Sequence, residues 1–580
     1  MLGWSLFSSL ARDVKDPWRS AKRGSASLKE DLPPKSNQAS SSVFYLLDIN
    51  FVCVLGSLSM TPFTKPTRRL LHREITYSDA KELETNVLHA LTLPGRQDEY
   101  FQILLQKSPA LEAVVAHHLN LGSTRCHVGD PREWLSGTFN VCIPIYVDNK
   151  QDPTLLLRLP LPHRVGEDCN TGNADEKILC EVGTYTWLQH NCPEVPIPQL
   201  HGYGLSTGQQ FTALNNLPFV TRCVESLRRC VLRFLGHPVP SKYVVHRSHL
   251  RETLGIGYLL IEYIDQSRGK MLSASWDQGR HNAQLRTNLF RSLSDIMLAV
   301  ARTPLPRIGS FVVDEKGFLK LRNRPLTLEI QALENEHIPV DIRREFTYST
   351  VDAYINDILA FHESRLRHQP NAVNDIQDSL FQMAALTMMR AVRHIFFRPD
   401  LRRGPFFMSF TDLHQSNIFV DDRWNITCLV DLEWACSRPA EMIHPPYWLT
   451  DQSVDGINLA EYESAHKEFM QAFGEQVLKH PHQSKKQLHS ILQEGWNRGT
   501  FWYALALDSP TGLFQIFYNH IQPRFSKDHI NDAAFFRIIM DYWTINAAKF
   551  IQRKVKDKEQ YDQRLLKAFE QSSAGQRVNQ

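Results

Sequence analysis

The segment FTDLHQSNIFVDDRWNITCLVDLE, residues 410–433, constrains the fold of this 580-residue chain more than any other part. Two short apolar runs, Ile418–Val420 and Ile426–Val430, flank the turn-rich sequence DDRWN. Apolar runs on both sides of such a turn predict a β-hairpin. Paired strands lie about 4.8 Å apart. A hairpin centred on this turn would therefore place Asn417 and Asp431 opposite each other at its open end.

The polar residues around this open end have the side chains that phosphoryl transfer needs. Mg²⁺ prefers one or two protein oxygens, with water and phosphate completing its shell, and Asn417 and Asp431 offer such oxygens. Asp412 lies on the preceding loop, where it could accept a proton from a substrate hydroxyl. Kinase-type phosphoryl transfer uses residues in this order: a carboxylate, then a metal-binding Asn, then a metal-binding Asp after a strand. We therefore predict Asp412 as the catalytic residue and Asn417 and Asp431 as metal ligands.

The Asp-x-x-x-x-Asn pair is weak evidence when it is taken alone. At ordinary composition it arises by chance about once in a chain of this length. An Asx-turn would also explain either residue. The flanking strands and the placement of Asp431 after the second strand favour the catalytic interpretation.

The segments TDLHQSNIFV and CLVDLEWA resemble the motif of the aminoglycoside phosphotransferase family, which includes choline, homoserine and fructosamine kinases, and are especially similar to fungal phosphotransferase-domain proteins. The resemblance covers roughly residues 137–450. It implies an α+β, two-lobed protein-kinase-like fold with a small β-rich N-lobe and a larger, mostly helical C-lobe. It also implies ATP and Mg²⁺ as cofactors and a small-molecule hydroxyl as the acceptor. By resemblance, Arg158 and Glu181 correspond to the lysine–glutamate pair of these enzymes.

The length of the chain predicts more than one lobe, since a single core seldom serves so many residues. We expect a disordered or targeting segment at 1–60, a helical extension at 61–136, the N-lobe at 137–264, the C-lobe with the motif at 265–450 and a helical region at 451–580. Helical spacing of apolar residues predicts continuous helices, among them Asp98–Leu119, Ala174–Asn191, Gln284–Ala301, Lys486–Leu507 and His529–Gln552.

Residues of the predicted N-lobe complete a candidate nucleotide site. Arg158 interrupts the apolar run LLLRLP, and a charge inside a buried strand needs a partner. Glu181 on the following helix could be that partner, whereas an edge-strand arginine facing water is the alternative. Gly137 could let the backbone approach a phosphate, although a plain strand-entry turn explains it equally well. The backbone near Glu262 and Ile264, after the strand GIGYLLIEYI, would receive the adenine.

Several positions depart from the family pattern or have two interpretations. Arg158 is a wider, bidentate cation, so it is not equivalent to the lysine of the family pattern. Phe410 stands where many relatives carry His. Glu433 would contact a second metal or the substrate, or have a surface or capping role. The segment Glu441–Trp448 could hold a cationic or hydroxylated substrate, or it is an ordinary packed loop.

Two other functions are weighed against the small-molecule kinase. A pseudokinase-like nucleotide-binding or scaffold protein is favoured by Arg158 and Phe410, but retention of Asp412, Asn417 and Asp431 argues against it. Protein kinase activity is disfavoured, because neither Asp-Phe-Gly nor a G-x-G-x-x-G loop is present.

Composition excludes several classes of function. A formal net charge of +3 is too small at this length to indicate nucleic-acid binding, and the arginine-rich segment Thr221–Arg251 is typical of a solvated helix face. Ten cysteines without a C-x-x-C pair indicate free thiols in a reducing compartment. The apolar stretch Val43–Ser59 is too short to span a bilayer comfortably. We therefore expect a cytoplasmic protein with no transmembrane segment. The Ser- and Arg-containing start leaves a mitochondrial location as the alternative, and the oligomeric state stays open.

Overall fold

The computed structural model describes residues 67–148, 150, 152–246, 254–479 and 482–578. The predictions for residues 1–60 lie outside this part of the chain. The fold is α+β, as predicted, with a large sheet in the N-terminal half and a mostly helical remainder.

The largest sheet is antiparallel and has eight of the 17 described strands, ordered β3-β5-β6-β10-β7-β8-β9, with β4 paired to β5. The motif hairpin β15–β16 forms a separate sheet with β11. The strands are β1 Thr67–Arg69, β2 Glu74–Thr76, β3 Cys126–Val128, β4 Leu135–Ser136, β5 Asn140–Val147, β6 Leu155–Pro160, β7 Leu200–Gly204, β8 Gln210–Ala213, β9 Tyr243–Val245, β10 Tyr258–Glu262, β11 Lys270–Met271, β12 Ser310–Val313, β13 Leu319–Asn323, β14 Phe406–Phe410, β15 Ile418–Val420, β16 Ile426–Leu429 and β17 Ala435–Pro439.

The helices surround this sheet and fill the C-terminal half. They are α1 Tyr77–Glu82, α2 Val87–Ala90, α3 Leu93–Gln106, α4 Ser108–Leu119, α5 Pro162–Val165, α6 Asn173–Asn191, α7 Phe219–Phe234, α8 Trp276–Gly279, α9 Ala283–Val300, α10 Leu328–Asn335, α11 Val351–His368, α12 Ile376–Phe396, α13 Leu459–Lys479, α14 Gln483–Arg498, α15 Thr500–Leu507, α16 Leu513–Ile516, α17 Ala533–Trp543 and α18 Ala547–Val578. No described helix is both long enough and apolar enough to cross a membrane.

The sheet is covered on both faces, which explains its buried polar residues. Alternate residues of a strand point to opposite faces. Leu157 and Leu159 of β6 therefore join one core with helices α3 and α4, while Arg158 points to the other face, towards α6. Helix α6 also packs against β12 and joins the larger core that runs into the helical lobe. Along the chain β5 and β6 are followed by α6, then by β7, β8, α7 and β9, and β10 leads into the predicted hinge.

Three predicted helices are broken in the structure. The helix predicted at Asp98–Leu119 is divided into α3 and α4 next to Pro109, because proline lacks the N–H that a helix interior uses. The prediction Lys486–Leu507 is interrupted at Gly499, which has a φ of 86° that suits glycine. The prediction His529–Gln552 is interrupted between α17 and α18, near Asn546 with its φ of 62°.

The two ends of the described chain pack together. Ile75 and Val87 share a small core with Tyr561, Leu565 and Phe569 of α18. The Tyr561 hydroxyl also accepts a hydrogen bond of 2.8 Å from the Val87 N–H. Strands β3 and β4 precede the expected N-lobe boundary and pair with β5, so the sheet begins before that boundary.

Two helical glycines provide a test of the packing around α6. A Cβ on Gly183 would lie 2.1 Å from the Phe311 carbonyl oxygen of β12, whereas a Cβ on Gly95 of α3 would meet nothing within 4 Å. We expect Gly183→Ala to destabilise the protein by about 3 kcal/mol or more, since overpacking here moves backbone. Gly95→Ala should be neutral or stabilise it by about 0.5–1 kcal/mol. Urea unfolding measures both, and equal effects would contradict the described packing.

Candidate active site

Arg158 lies in the middle of the large sheet. Its strand β6 runs between β5 and β10, with Arg158 opposite Cys142 and Leu259. Only 4% of the side chain is exposed. The edge-strand alternative is therefore wrong, and the charge requires partners inside the protein.

Three carboxylates from two parts of the chain surround the Arg158 guanidinium. Its Nε lies 3.6 Å from Glu181 Oε2 of α6. Its two terminal nitrogens donate to Asp431 Oδ1 and Glu433 Oε2, which follow the motif hairpin. The structure thus brings the predicted Arg158–Glu181 pair together with the predicted metal ligand Asp431.

A second buried cation, missed in the sequence, reinforces this cluster. Lys177 of α6 places its Nζ 2.8 Å from Glu433 Oε2 and donates to Asn140 Oδ1. The Asn140 amide donates to both oxygens of Glu433, at 3.2 and 2.9 Å. The spacing in the sequence could have indicated Lys177 as a site residue, because it precedes Glu181 by one helical turn and lies on the same face of the helix. Glu433 is fully buried, so its predicted surface role is wrong.

Glu433 and Glu181 respond differently to the same burial. Burial alone would raise the pKa of Glu433, but Arg158 and Lys177 outweigh it and hold this pKa well below its usual range. For Glu181, burial dominates over the attraction of Arg158, and its pKa is raised. Within the described residues neither oxygen of Glu181 has a hydrogen-bond partner. Glu433 is thus the permanent anion that anchors both cations.

The motif hairpin forms as predicted, with Ile418 opposite Leu429. The Val430 N–H donates to the Asn417 carbonyl at 3.0 Å, so Asp431 lies one residue beyond the position facing Asn417. Asp431 has a φ of 57°, a left-handed conformation that aspartate tolerates better than most residues. Its side chain is 40% exposed, which makes it the solvent-facing end of the cluster.

Asp412 lies beside this end of the hairpin. Its backbone carbonyl accepts a 2.8 Å hydrogen bond from the Asn417 amide, and its carboxylate is 3.6 Å from His414 Nε2. Burial, followed by the charges of Asp431, Glu433 and Glu329, raises the pKa of Asp412 to about 8. The site therefore has more negative charge than its own cations neutralise.

These residues fit a divalent cation. Within the described residues, Asn417 Oδ1 accepts no hydrogen bond and Asp431 has a partner on Oδ1 alone. Carboxylate and amide oxygens are the donors that Mg²⁺ prefers. The excess negative charge at Asp412 is the electrostatic condition that such a cation would relieve. One oxygen of Asp431 is already held by Arg158, so the cation would share this carboxylate.

The other predicted nucleotide-site residues lie around the cluster. The Glu262 carboxylate is 2.8 Å from Arg268 and accepts a hydrogen bond from the Gln199 N–H, so this side chain has a structural role. The Ile264 N–H donates to no acceptor within the described residues. Gly137 lies in the turn between β4 and β5, and a Cβ there would lie 3.6 Å from its nearest neighbour, so the geometry of this turn does not require glycine.

The predicted substrate segment Glu441–Trp448 is mainly structural. The Glu441 carboxylate is buried and accepts from the Arg398 N–H, and Trp448 Nε1 donates to the Leu413 carbonyl on the motif loop. The packed-loop alternative therefore holds for both residues. Phe410 packs against the core, as expected for an apolar replacement of His.

Two cavities flank the site. One of about 530 Å³ lies beside the hinge, between the end of α6, the proline-rich segment 193–198 and β8, and Glu262 contributes to its wall. A much smaller one of about 30 Å³ is lined by Thr411, Glu329 and Asp508, next to Asp412. Burial, with a smaller contribution from the charge of Asp508, raises the pKa of Glu329 to about 7. Two carboxylates, Glu329 and Asp508, thus lie near Asp412, and Asp508 is paired with the buried Arg438.

Comparisons with known proteins gave only remote structural similarity. No family model matches the chain, and no curated protein matches it. The chain is similar to a Ralstonia eutropha protein classed as an aminoglycoside phosphotransferase, with 11% identity, coverage of 79% of this chain and 98% of that chain, and a TM-score of 0.35. It is also similar to aminoglycoside phosphotransferase APH(4)-Ia in complex with AMP-PNP and hygromycin B, with 13% identity, 77% and 98% coverage and a TM-score of 0.33. A third similar structure is the macrolide 2'-phosphotransferase MphH of Brachybacterium faecium, with 13% identity, coverage of 71% of this chain and 98% of that chain, and a TM-score of 0.30.

The carboxylate cluster predicts a strong dependence of stability on Arg158. Arg158→Met would leave Glu181 and Glu433 buried beside one cation fewer, and breaking a buried pair in this way costs about 3–5 kcal/mol. Arg268→Met, which breaks the half-exposed pair with Glu262, should cost about 0–1 kcal/mol. Urea unfolding compares the two variants. A similar loss in both would show that the buried cluster contributes no more than a surface pair.

The raised pKa of Asp412 predicts a pH-dependent stability effect. Between its ordinary pKa of 3.8 and about 8, the unfolded state has lost the Asp412 proton while the folded state retains it, so this residue lowers stability as pH rises. Asp412→Asn cannot ionise and should stabilise the protein at neutral pH by about 1–2 kcal/mol, less than the full shift because the side chain is 26% exposed. Near pH 4 the gain should disappear. Thermal unfolding across pH measures it, and Asp422→Asn, in the exposed turn of the same hairpin, should show no such profile.

Proposed function

We propose that this protein is an ATP- and Mg²⁺-dependent phosphotransferase that moves the γ-phosphate to a hydroxyl of a small molecule. The observation that carries the proposal is the convergence of Arg158, Glu181 and Asp431 at the end of the hairpin that also holds Asn417 and follows Asp412. These residue types in this order are those of kinase-type phosphoryl transfer. Membership of the aminoglycoside phosphotransferase family, with its choline kinase-like and fungal members, belongs to the same proposal and is supported by the motif TDLHQSNIFV.

Asp412 is proposed to hold the acceptor hydroxyl and take its proton. Its carboxyl is partly exposed next to Asp431, so an acceptor can reach it. Asn417 and Asp431 would hold Mg²⁺, which when bound supplies positive charge at the transferring phosphate. Neutralising Asp431 would also lower the pKa of Asp412 and leave it ionised at neutral pH. Asp412 can act as a base only in that ionised form.

Arg158 is proposed to act first as a positioning residue for Asp431. All three of its nitrogens face carboxylates, so a direct phosphate contact requires one of them to give way. Asp431 is the most exposed of the three, which makes it the partner most easily exchanged. The backbone from Glu262 to Ile264 is proposed to receive the adenine, with the Ile264 N–H as the donor.

The acidic surroundings of Asp412 support an acceptor that carries positive charge as well as hydroxyl groups. Glu329 and Asp508 line the small cavity beside Thr411, and Tyr447 is close enough to Asp412 and Glu329 for their charges to raise its pKa after the larger effect of burial. Asp508 is paired with the buried Arg438, so Glu329 and Asp412 are the carboxylates that would attract a cationic amine and repel an anionic acceptor when they are ionised.

A nucleotide-binding scaffold without turnover is the second candidate function. The contact between Arg158 and Asp431 favours it, because this carboxylate is partly committed before a cation binds. Thermal stability measured with and without ATP and Mg²⁺ gives the first test, since binding to the folded state must raise the melting temperature. No response to ATP with Mg²⁺ would contradict nucleotide binding and both of these candidates.

Transfer itself is tested by ATP-dependent phosphorylation of a panel of amine-bearing and neutral hydroxyl compounds. Asp412→Asn should lower turnover about 10²–10⁴-fold, because it removes the proton acceptor, while the stabilisation by Mg-ATP remains. Asp422→Asn is the matched control and should turn over like the wild type. Unchanged turnover in Asp412→Asn would exclude the assigned role, and nucleotide binding without transfer to any acceptor would favour the scaffold.

A further inference from the structure

The turn between β4 and β5, residues 137–140, has an exposed tip and a buried base. Gly137 and Thr138 are exposed, whereas Phe139 and Asn140 are buried. The Gly137 N–H donates to the Asn140 carbonyl at 2.9 Å and closes the turn. The tip is therefore accessible to a ligand, while the base is held by the protein. We call these four residues the β4–β5 turn.

The base of the β4–β5 turn is bound to residues that follow the motif hairpin. The Asn140 amide donates to both carboxylate oxygens of Glu433, at 3.2 and 2.9 Å. The Phe139 ring packs edge-on against Trp434, with 5.3 Å between the ring centroids. Glu433 and Trp434 come shortly after Asp431 in the sequence. One polar and one aromatic contact thus join the turn to the segment that carries a proposed metal ligand.

Lys177 of α6 fixes the orientation of the Asn140 amide. Its Nζ donates to Asn140 Oδ1 and lies 2.8 Å from Glu433 Oε2. An asparagine amide has one accepting and one donating end, and here the accepting end meets Lys177 while the donating end meets Glu433. All three side chains are buried. They come from a strand, a helix and the segment after the hairpin, and we call them the Asn140–Lys177–Glu433 triad.

The triad is linked to the proposed metal site through Arg158. Glu433 Oε2 also accepts from Arg158, and the other terminal nitrogen of Arg158 donates to Asp431 Oδ1. The contacts therefore run from the turn through Glu433 and Arg158 to Asp431. Glu433 and Arg158 are both buried. They therefore fix the position of the turn relative to Asp431.

We propose that Asn140 and Lys177 are positioning residues, which hold the exposed tip of the β4–β5 turn beside the phosphates of a bound nucleotide. This inference rests on the proposed function. A turn that becomes ordered only when a ligand binds loses conformational entropy at that moment, whereas a turn that is held in advance does not. The triad should therefore increase the affinity for Mg-ATP, although its buried side chains do not contact the nucleotide.

A purely structural role would change stability alone, and a second buried asparagine separates the two roles. Asn371 is buried like Asn140. Its amide donates to the carbonyls of Leu83, Glu84 and Thr85, which lie in the connection between α1 and α2. Asn371→Ala thus removes a buried, hydrogen-bonded amide that belongs to no part of the candidate active site.

Calorimetric titration of the full-length chain with Mg-ATP compares the two variants. Asn140→Ala should weaken binding about tenfold, and it should raise the KM for ATP but not the KM for the acceptor. Asn371→Ala should also lower the melting temperature, yet bind Mg-ATP like the wild type. Equal affinity in Asn140→Ala and the wild type would overturn the inference. So would an equal loss of affinity in both variants, because it would indicate general destabilisation.

Two substitutions of different chemistry test the role of Lys177. Lys177→Met leaves the accepting end of the Asn140 amide without its donor, so it should weaken Mg-ATP binding as Asn140→Ala does. Lys177→Arg keeps a cation with several donors and should recover most of the affinity. A wild type that binds no Mg-ATP would overturn the proposed function and this inference together. Unchanged affinity in Asn140→Ala, with binding by the wild type, would overturn this inference alone.

Discussion

The contact of the Arg158 guanidinium with three carboxylates is the interaction on which the site depends. It joins β6 of the sheet to α6 through Glu181 and to the segment after the motif hairpin through Asp431 and Glu433. Removing these charges from water is costly, and the cost is offset only when each charge has close partners. Lys177 and Asn140 provide the additional partners for Glu433. The β-rich part and the helical part are therefore held together at the point where the candidate catalytic residues lie.

The same arrangement leaves Asp412 in an electrostatic environment that disfavours its ionised form. The cations are committed to Glu433, Glu181 and Asp431, so Asp412 experiences burial and neighbouring negative charge without compensation. Asp431 adds a left-handed backbone conformation at the same place. Local features that lower stability cluster where binding or chemistry occurs. The excess of negative charge lies beside Asn417 Oδ1 and the free oxygen of Asp431, where the proposed metal–nucleotide complex would bind.

Helix α7 illustrates how tertiary structure decides the meaning of a pattern. Its sequence is amphipathic, and amphipathic helices usually turn the apolar side inwards. Here the strands on either side and the Arg229 contacts with the turn at Pro240 orient it the other way. Its exposed apolar side becomes a feature of the surface, separate from the candidate active site.

The local sequence determined the elements whose signals lie within a few residues. The motif hairpin, β6 with its interrupting Arg158, and α6 follow from apolar runs, turn residues and helical spacing. The Arg158–Glu181 pair was predictable because a buried charge requires an opposite charge nearby. The breaks at Pro109, Gly499 and Asn546 had local signals that apolar spacing overrode in the prediction.

Tertiary structure alone decided what these elements meet. Nothing near Lys177 or Asn140 in the sequence indicates Glu433, which lies 256 and 293 positions away. Likewise, the outward direction of α7 and the extension of the sheet by β3 and β4 depend on which surfaces are already covered. Periodicity reports which side of an element is apolar. It cannot report which distant surface that side, or the opposite one, will contact, because this depends on how the whole chain shares its buried area and its charges.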